Sequence, residues 1–256
     1  MHDLIRTEDG FINLPYELIP NLRIGSSAKM PPMVLDVSDI GAITVSNHTR
    51  RDRERDVGPP WRVVFSVSKR AFDIGMCLLL VPIFLIVAVF LLALNPWLNA
   101  GPLFFVQKRM GRDCAPFAMF KFRSMCDAGS FERTPECPLE LHRITVLGRF
   151  IRGTRVDELP QIINVLKGEM SLIGPRPDFY EHALHYLCEV SGYCRRHRVR
   201  PGISGLAQTE VGYVTGSEAT RRKVSADLYY ISHTDFKMEA WLVWRTLTVI
   251  FSRMGI

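Results

Sequence analysis

Two adjacent carboxylates, Asp157 and Glu158, lie in Val156-Asp157-Glu158-Leu159-Pro160-Gln161 with cations on both sides. Arg143, Arg149, Arg152 and Arg155 precede the pair; Lys167 and Gly174-Pro175-Arg176-Pro177 follow it, and Arg195, Arg196, Arg198 and Arg200 come further on. That combination suits phosphoryl chemistry. One carboxylate can attack phosphorus while the other helps to hold Mg2+, a hard cation that takes few protein ligands beside substrate phosphates. Spacing alone allows either order of roles. Arginine forks match phosphate oxygens bidentately, and the prolines around Arg176 fix its backbone as a preorganised anion contact requires. The plainer reading of Asp157 is a helix N-cap; that of the arginines is a basic surface facing acidic lipid head groups. Lys121-Phe122-Arg123-Ser124-Met125 alternates cationic and apolar residues, which predicts a strand with Lys121 and Arg123 on one face.

These side chains need elements to carry them. Leu159, Ile162, Ile163 and Leu166 fall at i, i+3, i+4 and i+7, one face of a helix. Pro160 is tolerated only in a first turn, so this helix is expected to begin near Asp157 or Glu158. Its positive end should keep a carboxylate there ionised, and Gly168 is a plausible cap at its far end. Phe117 to Phe122 reads as a short strand. Phe236 to Phe251 reads as a helix, either interfacial or core, with Trp241, Trp244, Leu247 and Phe251 on one side.

An uncharged stretch from Ile74 to Leu94 follows Lys69 and Arg70. As a helix it is about 31 Å long, enough to cross a bilayer core. Pro82 removes one helical N–H and should kink it. Both flanks are basic: Arg62, Lys69 and Arg70 upstream, Lys108, Arg109, Arg112, Lys121 and Arg123 downstream. Positive charge stays on the cytoplasmic side, so a kinked re-entrant helix that enters and returns is favoured over a straight span or a buried core helix. Residues 1–60 contain Pro15, Pro20, Pro31, Pro32, Pro59 and Pro60 and show no sustained period. They are read as an irregular extension, residues 61–100 as the membrane-inserted region and residues 101–256 as a catalytic domain. The fold class is α+β, predominantly helical, with interfacial helices and short strands.

The totals agree without deciding. The 256 residues are 47% hydrophobic and carry a net charge of +6, so a core is affordable and anionic partners are favoured. Nucleic acid is not expected, because a long apolar segment has no place in that function. The six cysteines form no Cys-x-x-Cys pair and read as reduced thiols. His182 and His185 lack partners at metal spacing, so zinc is not expected. The polar start Met-His-Asp-Leu-Ile-Arg is unlike a secretory signal.

Together the motifs resemble one family. Lys69-Arg70 with Asp73, Pro82 in the apolar helix, Gly101-Pro102 with Phe105 and Gln107, Arg109 with Gly111, Lys121 to Met125, Asp157 to Gln161, Asn164-Val165, Lys167-Gly168, Met170-Ser171, Gly174 to Pro177 and Pro201-Gly202 with Gly205 and Gln208 run in the order of the bacterial sugar transferases, also called small monotopic phosphoglycosyl transferases. The resemblance implies that Asp157 attacks the β-phosphorus of a UDP-sugar, releasing UMP, and that undecaprenyl phosphate then takes the sugar phosphate. It implies that Glu158 serves Mg2+, and that Arg152 and Arg176 lie near the phosphates. Lys121, Arg123 and Arg200 join them as expected phosphate-binding residues, and Lys69 and Arg70 would sit at lipid head groups of the bacterial inner membrane, with the catalytic domain on the cytoplasmic face. The segment from Arg200 to Glu210 looks like the branch that starts exopolysaccharide repeat units, often from UDP-glucose or UDP-galactose. A catalytically silent membrane-anchored scaffold of the same fold is the alternative, and a homo-oligomer is left open. Two positions depart from the family pattern: Leu141 stands where an aspartate is common, and Val81 stands where a serine often precedes the helix proline.

Overall fold

The computed structural model describes residues 6–7, 10–11, 60–99, 101–126, 143–210 and 217–251. Leu141 and most of the N-terminal extension lie outside them. The chain forms two compact units, Met1–Gly58 and Pro59–Ile256. In the first, β1 (Arg6–Thr7) pairs antiparallel with β2 (Gly10–Phe11).

The second unit begins with α1 (Pro60–Leu98), 39 residues in one helix, or about 58 Å of rise. The expected kink does not interrupt this element, which runs through both Pro82 and Pro96. Only one backbone donor is lost at each proline, and neighbouring turns continue the helical ladder. An inner stripe at Phe65, Lys69, Asp73, Cys77, Phe84, Leu91 and Asn95 recurs every three to four residues or twice that and is buried or half-buried. The opposite face is apolar and open: Val64, Leu79, Ile86 and Val89 are each at least 61% exposed.

The stripe lies on two cores. Cys77 packs with Met119, Ile162, Val165 and Met170; Leu91 packs with Phe122, Leu147 and Ile151. Polar ties reinforce both ends. Lys69 Nζ meets Glu239 Oε2 at 2.6 Å, and Asp73 accepts from Ser171 Oγ at 2.7 Å and from the Leu172 amide at 3.2 Å. At the far end Asn99 donates to the Arg123 carbonyl at 2.8 Å, and the Arg123 guanidinium donates back to the Asn99 carbonyl.

β3 (Phe104–Met110) and β4 (Pro116–Phe122) form an antiparallel hairpin. Next come α2 (Val146–Gly153), capped by Thr145, and α3 (Gln161–Lys167). Asn164, fully buried on α3, accepts from the Phe120 amide at 3.1 Å and donates to the Ala118 carbonyl at 2.7 Å, fixing α3 against β4. β5 (Ser171–Ile173) pairs in parallel with β6 (Gly202–Ser204), and α4 (Tyr180–Glu189) lies between them in sequence. The chain continues through α5 (Leu206–Glu210), α6 (Ser217–His233) and α7 (Phe236–Phe251). α7 resolves the two readings left open for it by having two faces. Met238 and Leu242 are buried in the core, while Phe236, Trp244 and Leu247 are exposed.

The β5–β6 junction tolerates no side chain. A Cβ on Gly202 would lie 2.2 Å from the Gly174 nitrogen, and one on Gly205 would lie 2.1 Å from the Gly174 carbonyl oxygen. Both contacts are with backbone, so relief requires moving the strands apart. Gly202→Ala should destabilise the protein by about 1–3 kcal/mol, read as a lower midpoint in thermal unfolding of detergent-solubilised protein.

Candidate active site

The site is assembled where three segments meet the turn that carries the carboxylates. Arg155 takes a left-handed conformation, φ 56°, and leads into a 3-10 turn over Val156–Glu158. The α-helix expected to start at this pair therefore starts slightly later, at Gln161, after Pro160. A left-handed non-glycine residue is costly and tends to mark a functional turn. Here it turns both carboxylates inward, and each residue is only 8% exposed.

Glu158 is shared by cations from three directions. Arg176, from the loop after β5, pairs with Oε1 and lies 3.5 Å from Oε2. Lys121, on β4, is 3.4 Å from Oε1, and Arg155 is 3.9 Å from Oε2. Burial alone would raise the pKa of Glu158, but Arg176 and Lys121 outweigh it and hold the carboxylate well below its usual range.

Asp157 behaves in the opposite sense. Burial pushes its pKa up and the adjacent Glu158 adds to the rise, while Lys121, Arg152 and Arg176 pull the other way. Desolvation by burial is the largest influence on Asp157. Among the described residues, no protein donor is hydrogen-bonded to the Asp157 carboxylate. One member of the pair is ion-paired and the other carries no hydrogen-bond donor among the described residues, a separation that assigns different work to two like groups.

Lys121 responds to the same burial. Desolvation pushes its pKa down to about 8, with Glu158 opposing and Arg176 assisting. Arg152, on α2, is half-buried, lies near enough to influence Asp157, and touches Met125 Sδ at 3.8 Å. Lys121, Arg152 and Arg176 are therefore brought to the carboxylates as expected.

Other expected residues are engaged elsewhere. Arg123 closes the end of α1 against Asn99. Arg200 donates to the Gly168 carbonyl at 2.8 Å and Arg70 to the Leu166 carbonyl at 3.3 Å. Both therefore cap the C-terminal end of α3, while the carboxylates precede its N-terminal end, about 10 Å or more away along the helix. Lys69 is paired with Glu239. Expected at lipid head groups, Lys69 and Arg70 instead tie α1 to the domain. The sequence reading gave no separate role to Arg155, whose left-handed turn has no residue-type signal. It also missed the half-buried Asp178 and Lys223 and the buried Asp227, which resemble ordinary surface charges.

The bacterial sugar transferase profile matches residues 64–253. The chain belongs to that family. A UDP-N-acetylgalactosamine-undecaprenyl-phosphate N-acetylgalactosaminephosphotransferase of Aeromonas hydrophila is 36% identical over 192 residues, covering 75% of this chain and 45% of that protein. A UDP-glucose:undecaprenyl-phosphate glucose-1-phosphate transferase of Caulobacter vibrioides is 35% identical over 202 residues, covering 77% and 72%. The exopolysaccharide production protein PSS of Rhizobium leguminosarum bv. phaseoli is 36% identical over 204 residues, covering 73% and 96%. The chain thus spans under half of the first of these relatives and nearly all of the third. The family match includes α1 from Val64 onward and every residue described around Glu158.

The charge on Lys121 is present below its pKa and lost above it. Affinity for inorganic pyrophosphate, measured by calorimetry, should therefore weaken as pH rises through about 8 and stay flat over that range in Lys121→Arg, whose guanidinium does not titrate there.

Proposed function

We propose that this sugar transferase moves a hexose 1-phosphate from a UDP-sugar to undecaprenyl phosphate, releasing UMP, as the first membrane step of exopolysaccharide synthesis. The observation that carries this reading is the split carboxylate pair: among the described residues Asp157 is buried beside Lys121, Arg152 and Arg176 with no hydrogen-bond donor on its carboxylate, while Glu158 is held by Arg176 and Lys121. The names of the relatives supply the substrate classes.

Asp157 attacks the β-phosphorus through a carboxylate oxygen. The bond from that phosphorus to the oxygen bridging the α-phosphate breaks, and UMP departs with the electron pair. A phosphate oxygen of undecaprenyl phosphate then attacks the aspartyl phosphosugar, the bond to Asp157 breaks, and the carboxylate is restored. Arg176, Arg152 and protonated Lys121 balance the charge of the diphosphate. Burial keeps competing water from the acyl phosphate.

Among the described residues no group of three or more His, Cys, Asp or Glu gathers as a metal cage. Mg2+ does not need one, since one or two carboxylates plus substrate phosphates suffice. Asp157 carries no donor, and Glu158 Oε2 has only long contacts, 3.5 and 3.9 Å, so the pair fits this ion. Bound there, Mg2+ would neutralise phosphate charge.

The membrane reading has its own support. α1 is long and apolar enough to cross a bilayer, with mean hydropathy 3.2 over its most apolar window. Yet Lys69 and Asn99 are both bound to the same unit, which favours both flanks on one side, taken to be the cytoplasmic face of the inner membrane. Exposed Val146 and Phe150 on α2, and Phe236 and Trp244 on α7, suit the lipid interface.

Asp157→Asn should lower UMP release by at least about 10³-fold, as loss of a covalent nucleophile does, in an assay with a panel of UDP-sugars, undecaprenyl phosphate and Mg2+. A wild-type protein silent with every UDP-sugar would overturn the assignment in favour of a scaffold. Because Asp157 must be ionised to attack and its pKa is raised, the rate should climb with pH through an acid limb above about 3.9, the ordinary aspartate value. Engineered cysteines at the two flanks of α1 should be labelled from the same side of the membrane; labelling from opposite sides would establish a span.

A further inference from the structure

The loop that carries Arg176 cannot hold itself in place. Pro175 and Pro177 have no N–H, so the loop makes few bonds of its own, and its carbonyls must find donors elsewhere. Three successive carbonyls do so on three different segments. Pro175 accepts from the Gly202 amide at 2.9 Å, Arg176 from Arg196 Nη2 at 2.7 Å, and Pro177 from Arg109 Nη1 at 3.0 Å.

Arg196 is the unusual member of this set. It is the largest fully buried side chain, 1% exposed, on the 3-10 segment Tyr193–Arg198. Its guanidinium is used on every edge. Nε donates to Asp227 Oδ2 at 2.8 Å, Nη1 pairs with Asp178, and Nη2 reaches the Arg176 carbonyl. Asp178 is held in turn by Lys223 and by the Tyr193 hydroxyl at 2.8 Å. Two acids, Asp178 and Asp227, thus face two bases, Arg196 and Lys223, inside the protein. A buried arrangement of this kind is weak as a source of stability, because desolvation offsets the attraction. Its geometry has one outlet: the main chain of Arg176, whose guanidinium meets Glu158.

We propose that Arg196 is a positioning residue, holding the Arg176 backbone so that the Arg176 guanidinium is aimed at Glu158 and at the substrate diphosphate. α6, which supplies Lys223 and Asp227, is thereby connected to the carboxylate pair through two links. The proposal rests on the phosphate-binding part of the functional reading, not on the identity of the sugar.

A double-mutant cycle tests it. Arg196→Lys keeps the charge but cannot serve Asp227, Asp178 and the Arg176 carbonyl together. It should weaken pyrophosphate binding and kcat/KM by about ten-fold, the worth of one such hydrogen bond. In an Arg176→Ala background, where there is no guanidinium left to aim, the same change should cost less than about two-fold. Equal losses in the two backgrounds would make Arg196 merely structural and overturn the proposal. Should Arg196→Lys fail to fold, Tyr193→Phe removes one donor from Asp178 and leaves the ring. It should show a smaller loss that again vanishes with Arg176→Ala, and no loss, or an equal loss, in both backgrounds would refute the idea. Pyrophosphate affinity is read without turnover, so a wild type that releases no UMP would defeat the transferase assignment while the cycle still decides the role of Arg196.

Discussion

A buried carboxylate must be compensated, and Glu158 is compensated by segments far apart in sequence. Lys121 comes from a strand, Arg155 from a left-handed turn and Arg176 from a proline-flanked loop. Removing any one leaves the others with an imperfect balance in a medium where charge is poorly screened. The hairpin, the turn and the loop therefore have to be placed together, and much of the fold can be understood as meeting that requirement. Asn164 fixes α3 to β4, the glycine contacts close β5 on β6, and Arg196 secures the loop from behind.

The same compensation separates two chemically similar neighbours. Held by its cations, Glu158 stays ionised; Asp157 receives the burial without a hydrogen-bond donor among the described residues. The nucleophile proposed for the transfer needs this condition, a carboxylate not satisfied by hydrogen bonds it would have to surrender on attack. Asp157 and Glu158 share one turn, so the difference arises from the surroundings and not from residue type.

Much of this was legible in the sequence because it rests on local pattern. The apolar stretch, the amphipathic period after Pro160, the strand at Phe117 to Phe122 and the capping Gly168 all survive in the fold, whereas the strand stops at Phe122 and does not continue through Arg123 to Met125. Arg176 was legible because two prolines frame it. What was not legible depends on burial, which is a long-range property. Arg196 sits in Arg195-Arg196-His197-Arg198 and looks no different from its neighbours, yet it is fully buried and enclosed by Asp178 and Asp227. Arg123 and Arg200 were matched by type to anion binding, while the structure spends both on carbonyls at helix ends. The burial that raises the Asp157 pKa likewise has no local signal in the sequence.

The inner stripe of α1 has a mechanical consequence. It is seated on the domain from Phe65 to Asn99 with polar ties near both limits, so the contacts couple helix to domain along its length. In a bilayer, the immersion of the helix then sets the altitude of Asp157 above the hydrocarbon. The enzyme rides at a fixed draught, like a hull on its keel. On the proposed transferase reading, a water-soluble nucleotide sugar descends to that level and a lipid phosphate ascends to it.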